Sequence, residues 1–278
     1  MMVGVHCSVS GGLEHAFEEA ALLKLDVFQV FTRNQRQWKA KPISPEEKTA
    51  FANAWKANPQ VKAIFAHASY LINLASVDKS LRDKSIGGIT EEVQRCHELG
   101  LFGAVLHPGA AGEATEHNAM KRIAEGLKAA LAATEGSKVK ILLENTAGQG
   151  SHVGYKFEHT REIMDMVGSD RIGTCFDTCH AFAAGYDIRT EHEFEEVMKE
   201  YDHTIGLKNL CAIHLNDSKG DLGSRIDRHE HIGKGKIGVD AFKYMMKKFP
   251  NVPKVIETDE ADNMDEVNIT LLRKLAGE

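Results

Sequence analysis

The sequence nowhere offers an apolar run long enough to cross a bilayer, which excludes a helical membrane span. It also has no Ser/Pro-rich linker, low-complexity tract or long block of like charge, so one domain over 1–278 is expected. Cysteine is scarce and odd in number. Cys7, Cys96, Cys175, Cys179 and Cys211 lack the spacing of a small secreted domain, so reduced thiols rather than a disulfide framework are expected. The opening MMVGVHCSVSGG lacks the basic region and sustained apolar stretch of a secretory signal, which points to a soluble, cytoplasmic protein. Cofactor signatures are missing as well. Gly148-x-Gly150-x-x-x-Gly154 misses dinucleotide spacing by one residue and reads as a flexible active-site loop, and Gly233-Lys-Gly-Lys236 is not a P-loop. Cys175, Cys179 and His180 have the wrong spacing for haem attachment, leaving a core Cys175 and an inert Cys179. Positive charge is in deficit, with a net charge of −6.

What the chain does have is one repeated event: an apolar run that stops on a metal-competent side chain. His67 closes VKAIFAH, His107 closes FGAVLH, Glu144 closes VKILLE, Asp177 closes IGTCFD, His214 closes LCAIH and Glu257 closes PKVIE. Successive members stand 33 to 43 residues apart, one strand and one helix each time.

Read in order, strands are predicted over 3–8, 26–32 and 61–67, with five more ending at the later residues just named. Helices are predicted from Gly11-Gly12 to Leu25, from the Ser44-Pro45-Glu46-Glu47 start signal onward, and over 78–100. Long loops follow the fifth strand (145–157) and the seventh (216–238). Eight parallel strands with helical crossovers must be buried on both faces. The α/β architecture expected is therefore a (β/α)8 TIM barrel, with an open doubly wound sheet as the alternative. A barrel gathers strand-end residues from many strands around one mouth, whereas an open sheet uses two or three at its switch point.

A single His or Asp at a strand end is ordinarily a cap or a satisfied polar group, but six in register are not so explained. His180, three residues after Asp177, and Asp227-x-His229 in the loop after strand seven bring the candidates to nine. One tetrahedral zinc uses three or four ligands, so nine imply two or three metals. Glu144, central in the order, is the natural bridging carboxylate, and His180 with Asp227 and His229 could form a separate third site. Imidazole and carboxylate without thiolate suit zinc, manganese or iron, zinc first. His6 is a further candidate, with a supporting or core role equally open. His15, His97, His117, His159, His192, His203 and His231 read as surface or packing residues.

Several stretches resemble endonuclease IV, the zinc-dependent apurinic/apyrimidinic endonuclease family. They are Phe31-Thr-Arg-Asn-Gln-Arg-Gln-Trp38, Ser69-Tyr-Leu-Ile-Asn-Leu74, His107-Pro-Gly109, Glu144-Asn-Thr-Ala-Gly-Gln-Gly150, Phe176-Asp-Thr-Cys-His-Ala-Phe-Ala-Ala-Gly185, His214-Leu-Asn-Asp-Ser218 and Arg225-Ile-Asp-Arg-His229. The resemblance implies a TIM barrel with three Zn2+ held by His67, His107, Glu144, Asp177, His180, His214, Asp227, His229 and Glu257. Mn2+ is a second candidate at one site. Glu144, Asp177 and Glu257 are implied as catalytic residues. The implied reaction is hydrolysis of the phosphodiester 5′ to an abasic site in duplex DNA, with cleaning of blocked 3′ ends as a further activity, by a monomer that uses no membrane. Arg36, Tyr70 and Leu71 are implied to enter the minor groove and flip the abasic nucleotide: a planar cation, an aromatic face and an apolar wedge. The chain departs from the family pattern at Ala66, at Ala110-Ala111 and in the acidic stretch Asp259-Glu-Ala-Asp262.

Metals would supply a nucleophile near neutral pH, so attack needs no basic side chain. Three divalent cations would also offset the net charge of −6. Arg33, Arg36, Lys39, Lys41, Lys219, Arg225, Arg228, Lys234 and Lys236 fall in rim segments, where local charge can outweigh the total. Two rivals are a metal-dependent sugar isomerase or epimerase, which needs fewer metals and a base for proton transfer, and a non-catalytic metal-stabilised DNA-binding module.

Overall fold

A computed structural model describes residues 1–258 and 263–278. In chain order its strands are β1 (Val3–Val5), β2 (Val27–Val30), β3 (Ala63–His67), β4 (Gly103–Leu106), β5 (Lys140–Glu144), β6 (Ile172–Asp177), β7 (Leu210–His214), β8 (Asp217–Ser218), β9 (His229–Glu230) and β10 (Lys254–Ile256). The helices are α1 (Ala16–Leu22), α2 (Pro45–Ala57), α3 (Lys79–Leu99), α4 (Glu116–Ala133), α5 (Phe157–Val167), α6 (Thr178–Ala184), α7 (Glu191–Thr204), α8 (Val239–Lys248) and α9 (Met264–Ala276). Eight strands form one parallel sheet in the order β1-β10-β7-β6-β5-β4-β3-β2. The ends meet: His6 bridges Gln29 in parallel, and the Cys7 N–H donates to the Gln29 carbonyl at 2.8 Å. This closes the sheet into a TIM barrel and removes the open-sheet alternative.

Two apolar clusters show why the strands read as continuous hydrophobic runs. Val27, Phe65, Val105, Leu142, Cys175, Ala212 and Val255, one from each of seven strands, pack together as an inner layer. Their neighbours in sequence, such as Phe28, Ile64, Ala104, Ile141, Phe176 and Ile256, belong to the outer core beneath the helices. Side chains alternate along a strand, so the residue two places beyond each inner member points the same way. Those residues are Gln29, His67, His107, Glu144, Asp177, His214 and Glu257. On β1 the corresponding place is held by His6, two beyond Gly4. A Cβ on Gly4 would lie 1.6 Å from the Val27 carbonyl oxygen, so only glycine lets β1 approach β2 this closely.

Local signals set most boundaries. Ser44 caps α2 in a reciprocal capping box with Glu47, as its start signal predicts, and Asp78 caps α3. Two expected elements are shorter. β1 ends at Val5 rather than Ser8: His6 makes a single bridge to Gln29, and the Ser8 N–H turns away from the sheet to the Glu19 carboxylate at 3.2 Å. The helix expected over 11–25 is a 3-10 turn at Leu13–His15 followed by α1, and it stops before Lys24, which takes a left-handed φ of 52°.

The loop after β5 is also not the flexible segment its glycines suggested. Thr146 bonds to Gly154 and Val153, Val153 N–H to the Gly109 carbonyl, and Ala111 N–H to the Ser151 carbonyl. The Ala110-Ala111 departure sits in this seam, where Ala110 bridges His152. The loop after β7 carries the small antiparallel ribbon β8–β9.

Lys254, the first residue of β10, is buried with its Nζ donating to the carbonyls of Phe249 and of Val252 (2.8 Å). Burial pushes its pKa down to about 8. The unfolded chain therefore holds this proton to higher pH than the folded one, and stability should rise with pH from about 8 toward the ordinary lysine value. Between pH 8 and 10 the unfolding free energy should climb more steeply in the wild type than in Lys254→Met, by up to about 1.4 kcal/mol per pH unit. Denaturant melts across that range measure it, and equal slopes would show that the ammonium is solvated.

Candidate metal centre

All nine predicted residues meet at the carboxyl ends of the strands, and they fall into three groups, two of which share a residue. His67, His107 and Glu144 form one, Glu144, Asp177, His214 and Glu257 a second, and His180, Asp227 and His229 a third; within each, the ligand-capable atoms lie within 4.8 Å of one another. Glu144 belongs to two groups. Its Oε2 stands 3.0 Å from His107 Nε2 and 3.4 Å from His67 Nε2, while its Oε1 stands 3.0 Å from His214 Nδ1 and 3.2 Å from His180 Nδ1. The third group is tied by Asp227 Oδ1, 3.1 Å from His180 Nε2 and 3.5 Å from His229 Nε2.

The backbone aims these rings. His67 Nδ1 lies 2.7 Å from the Ala68 carbonyl, His180 Nδ1 2.9 Å from that of Asn145, and His229 Nδ1 3.3 Å from that of Glu257. In each case Nδ1–H donates to the carbonyl, leaving the Nε2 lone pair directed into the site. His214 is turned the other way. Its Nε2–H donates to Gln29 Oε1 at 2.9 Å, and Nδ1 faces Glu144 and Glu257 at 3.0 Å each. Asp177 caps α6, accepting the His180 N–H at 2.7 Å, which fixes the three-residue offset between these two residues.

Glu144 Oε2, His180 Nε2 and His229 Nε2 are buried and, close as His107 and Asp227 stand, make no well-aligned hydrogen bond among the described residues. A buried polar atom left unpaired is costly, and three of them aimed at common points fit cations held between the rings and carboxylates. Electrostatics agree. Burial opposes ionisation of Glu144 and Glu257, but His214 and the neighbouring imidazoles outweigh it and hold both carboxyls well below the usual range. At Asp177 burial prevails and the pKa rises, a cost that a nearby cation would offset. Cys179 lies close to Asp177 and His229, yet burial pushes its thiol up to about 12 and its Sγ donates to the Arg228 carbonyl at 3.6 Å, so it stays protonated. Cys175 is buried in the inner layer, as expected.

Four polar residues of the site are absent from the strand-end pattern. Gln29 Nε2 donates to Glu257 Oε1 at 2.6 Å and reaches His6 Nδ1 at 2.8 Å, so His6 takes a supporting place through Gln29. Asn145 clasps the Asp177 backbone from both sides (2.8 and 3.0 Å), and Asn216 donates to Asp177 Oδ2 at 2.6 Å while accepting the Glu257 N–H at 2.9 Å. His152 lines, with His67, Tyr70, His107 and Asp227, a cavity of about 300 Å3 opening beside the centre. Asn145 stands one residue and Asn216 two residues beyond a strand end, a signal available in the sequence.

The three residues expected to contact DNA lie in two loops tied to each other. Tyr70 is 61% exposed, its ring centroid 5.1 Å from that of His67 and 5.9 Å from that of His107. Leu71 is half-buried and Arg36 exposed. Ser69 Oγ donates to the Gln35 carbonyl at 2.6 Å and accepts the Leu71 N–H at 3.2 Å, joining the two loops. Arg33 is a correction to the basic rim: it is buried, with Nη1 2.6 Å from Glu91 and Nε 3.5 Å from Glu92, and so is neutralised inside the loop it anchors. Lys39, Lys41, Lys219, Arg225, Arg228, Lys234 and Lys236 lie at the surface, wholly or in part exposed. Among the packing histidines, His159 is buried and its Nδ1 accepts the Gly154 N–H at 3.2 Å. The acidic residues 259–262 lie outside the described residues. A larger cavity of about 770 Å3, lined by Leu101, Phe102, Lys138, Cys211 and Pro253, lies at the opposite end of the barrel. It holds none of the clustered carboxylates and imidazoles, so volume does not locate the chemistry.

The family of xylose isomerase-like TIM barrels matches residues 17–275. "Probable endonuclease 4" of Chloroflexus aurantiacus is 44% identical over 277 residues, covering 98% of this chain and 97% of that protein. "Apurinic-apyrimidinic endonuclease 1" of Plasmodium falciparum is 43% identical over 270 residues, 95% of this chain and 45% of that longer protein. The crystal structure of endonuclease IV from Thermus thermophilus superposes with a TM-score of 0.89 at 34% identity, covering 100% of this chain and 99% of that one. The fold, the near full-length identity and the clustered residues agree: the chain belongs to the endonuclease IV family of AP endonucleases.

Proposed function

We propose that the chain hydrolyses the phosphodiester 5′ to an abasic site in duplex DNA, leaving a 3′-hydroxyl and a 5′-deoxyribose phosphate, as a monomer with three Zn2+ in the three residue groups. Cleaning of blocked 3′ ends is a further activity of the same centre, and manganese is the alternative ion at one position. The observation that carries this reading is the pairing of three adjacent ligand groups, two of them sharing Glu144, with an exposed aromatic and cationic rim. When bound, the metals lower the pKa of water and neutralise charge that develops on the phosphate.

The protein's own part is placement. Glu144 would join the first two groups and Asp177 would connect the second to His229, 3.9 Å from its Oδ2. Gln29, Asn145 and Asn216 hold the carboxylates and His214 in position. Tyr70, Leu71 and Arg36 would occupy the gap left by the missing base, where unstacking costs least. A sugar isomerase or epimerase is disfavoured because such chemistry needs fewer metals than three groups provide. A base-less duplex oligonucleotide assayed beside a ketose panel separates the two.

Replacing the shared carboxylate by Glu144→Gln should lower both metal content and hydrolysis, read by elemental analysis and strand cleavage. Three metals and near-normal cleavage in that variant would sink the bridging role. Tyr70→Ala and Arg36→Ala should each weaken binding to abasic duplex by roughly 1–3 kcal/mol, the scale of one stacking contact, with metal content unchanged. Binding titrations on intact and abasic duplex check this, since equal weakening on both would indicate ordinary phosphate contacts.

A further inference from the structure

The ribbon that delivers His229 has only two residues in each strand, Asp217 opposite Glu230 and Ser218 opposite His229. So short a pair has little stability of its own. One carboxylate gathers much of its support. Asp217 is buried, its Oδ1 accepting the N–H groups of Ser218 (2.8 Å) and Ile237 (2.9 Å) and its Oδ2 those of Gly233 (2.9 Å) and Gly235 (3.1 Å). The Lys236 N–H adds a bond to the Ser218 carbonyl at 2.8 Å, and the Lys219 N–H one to the Arg228 carbonyl at 3.0 Å. The segment leaving β7 is thus gripped on one side by the strand bearing His229 and on the other by the Gly233-Lys-Gly-Lys-Ile237 turn.

That turn explains its own composition. A Cβ on Gly235 would lie 2.4 Å from Asp217 Oδ1 and 2.5 Å from the Ser218 carbonyl oxygen, so the backbone closes on the carboxylate only where there is no side chain. The Gly233, Gly235 and Ile237 N–H groups turn inward, onto an acid of the same chain, while Lys234 and Lys236 stay at the surface.

We propose that Asp217 is a positioning residue for the metal centre. By collecting four backbone N–H groups it sets the place of the β8–β9 ribbon, and through it where His229 and Asp227 stand relative to His180. The inference rests on the metal-centre reading above. Asp217→Asn keeps the volume but leaves one oxygen for four donors and turns an amide toward two of them, so part of the set loses its acceptor. Gly235→Ala attacks the same contact from the other side.

The test combines hydrogen exchange on the full-length chain with zinc titration of the wild type, both single variants, the double variant and His229→Ala. Asp217→Asn and Gly235→Ala should each speed amide exchange within 215–238 and leave the rest of the barrel protected, and the double variant should add little to either. Affinity for one ion of three should fall about 10–100-fold in both, the usual scale for a supporting residue, with the other two unchanged. Excess zinc should restore the third ion in Asp217→Asn and Gly235→Ala but not in His229→Ala, which lacks a ligand. Exchange that is unchanged, or that rises over the whole barrel, overturns the proposal, as does a loosened segment with all three affinities intact. A wild type that takes up no zinc overturns the metal-centre reading and this proposal with it, and the wild-type titration tells that failure apart from failure of the positioning role alone.

Discussion

The alternation of side chains along eight strands, closed into a ring, is the constraint on which the rest depends. Closure turns one face of every strand toward a common axis, and a step of two residues lifts the axis-facing position from an apolar layer to a polar one. Phe65 becomes His67, Leu142 becomes Glu144, Cys175 becomes Asp177, Ala212 becomes His214 and Val255 becomes Glu257. The inner apolar layer therefore does two things at once. It fills the barrel, and it forms a dry floor that strengthens each interaction among the acids and imidazoles above it.

The same geometry explains how much the sequence discloses. On β3 to β7 and on the segment through Glu257, the polar residue falls where the apolar run stops, and a one-dimensional scan finds it. On β1 and β2 it falls inside the run, since the outward-facing Val30 continues the hydrophobic stretch past Gln29, and Cys7 follows His6. Gln29 was hidden by this, although it touches Glu257 and His214 directly. The barrel itself was legible because its strand spacing repeats. The burial of Arg33 is not legible, because its partners, Glu91 and Glu92, come from a helix 58 and 59 residues away, a distance that no local pattern spans. The ordered loop after β5 escaped for a related reason: its restraints come from Gly109 and Ala111 on the neighbouring loop.

Charge is distributed in a way that the net value of −6 conceals. Negative groups are concentrated at the axis, where buried imidazoles keep Glu144 and Glu257 ionised, and cationic side chains stand at the surface of the surrounding loops. An acidic protein can in this way present a rim suited to a polyanion, because at short range the nearest charges dominate. The buried Arg33 belongs to neither population and serves the loop that carries Arg36.

Asp177 occupies two positions in the architecture at once. One oxygen closes the first turn of α6 on the His180 N–H, and the other receives Asn216 and faces His214 and His229. A side chain one methylene longer would carry its carboxylate beyond the helix end, and an imidazole has no second oxygen to divide between the two tasks. The choice of aspartate is thus dictated by the chain's change of direction from strand to helix as much as by any ion. A substitution elsewhere around the ring would leave the chain's path intact, whereas here the turn into α6 rests on the same carboxylate that faces the imidazoles.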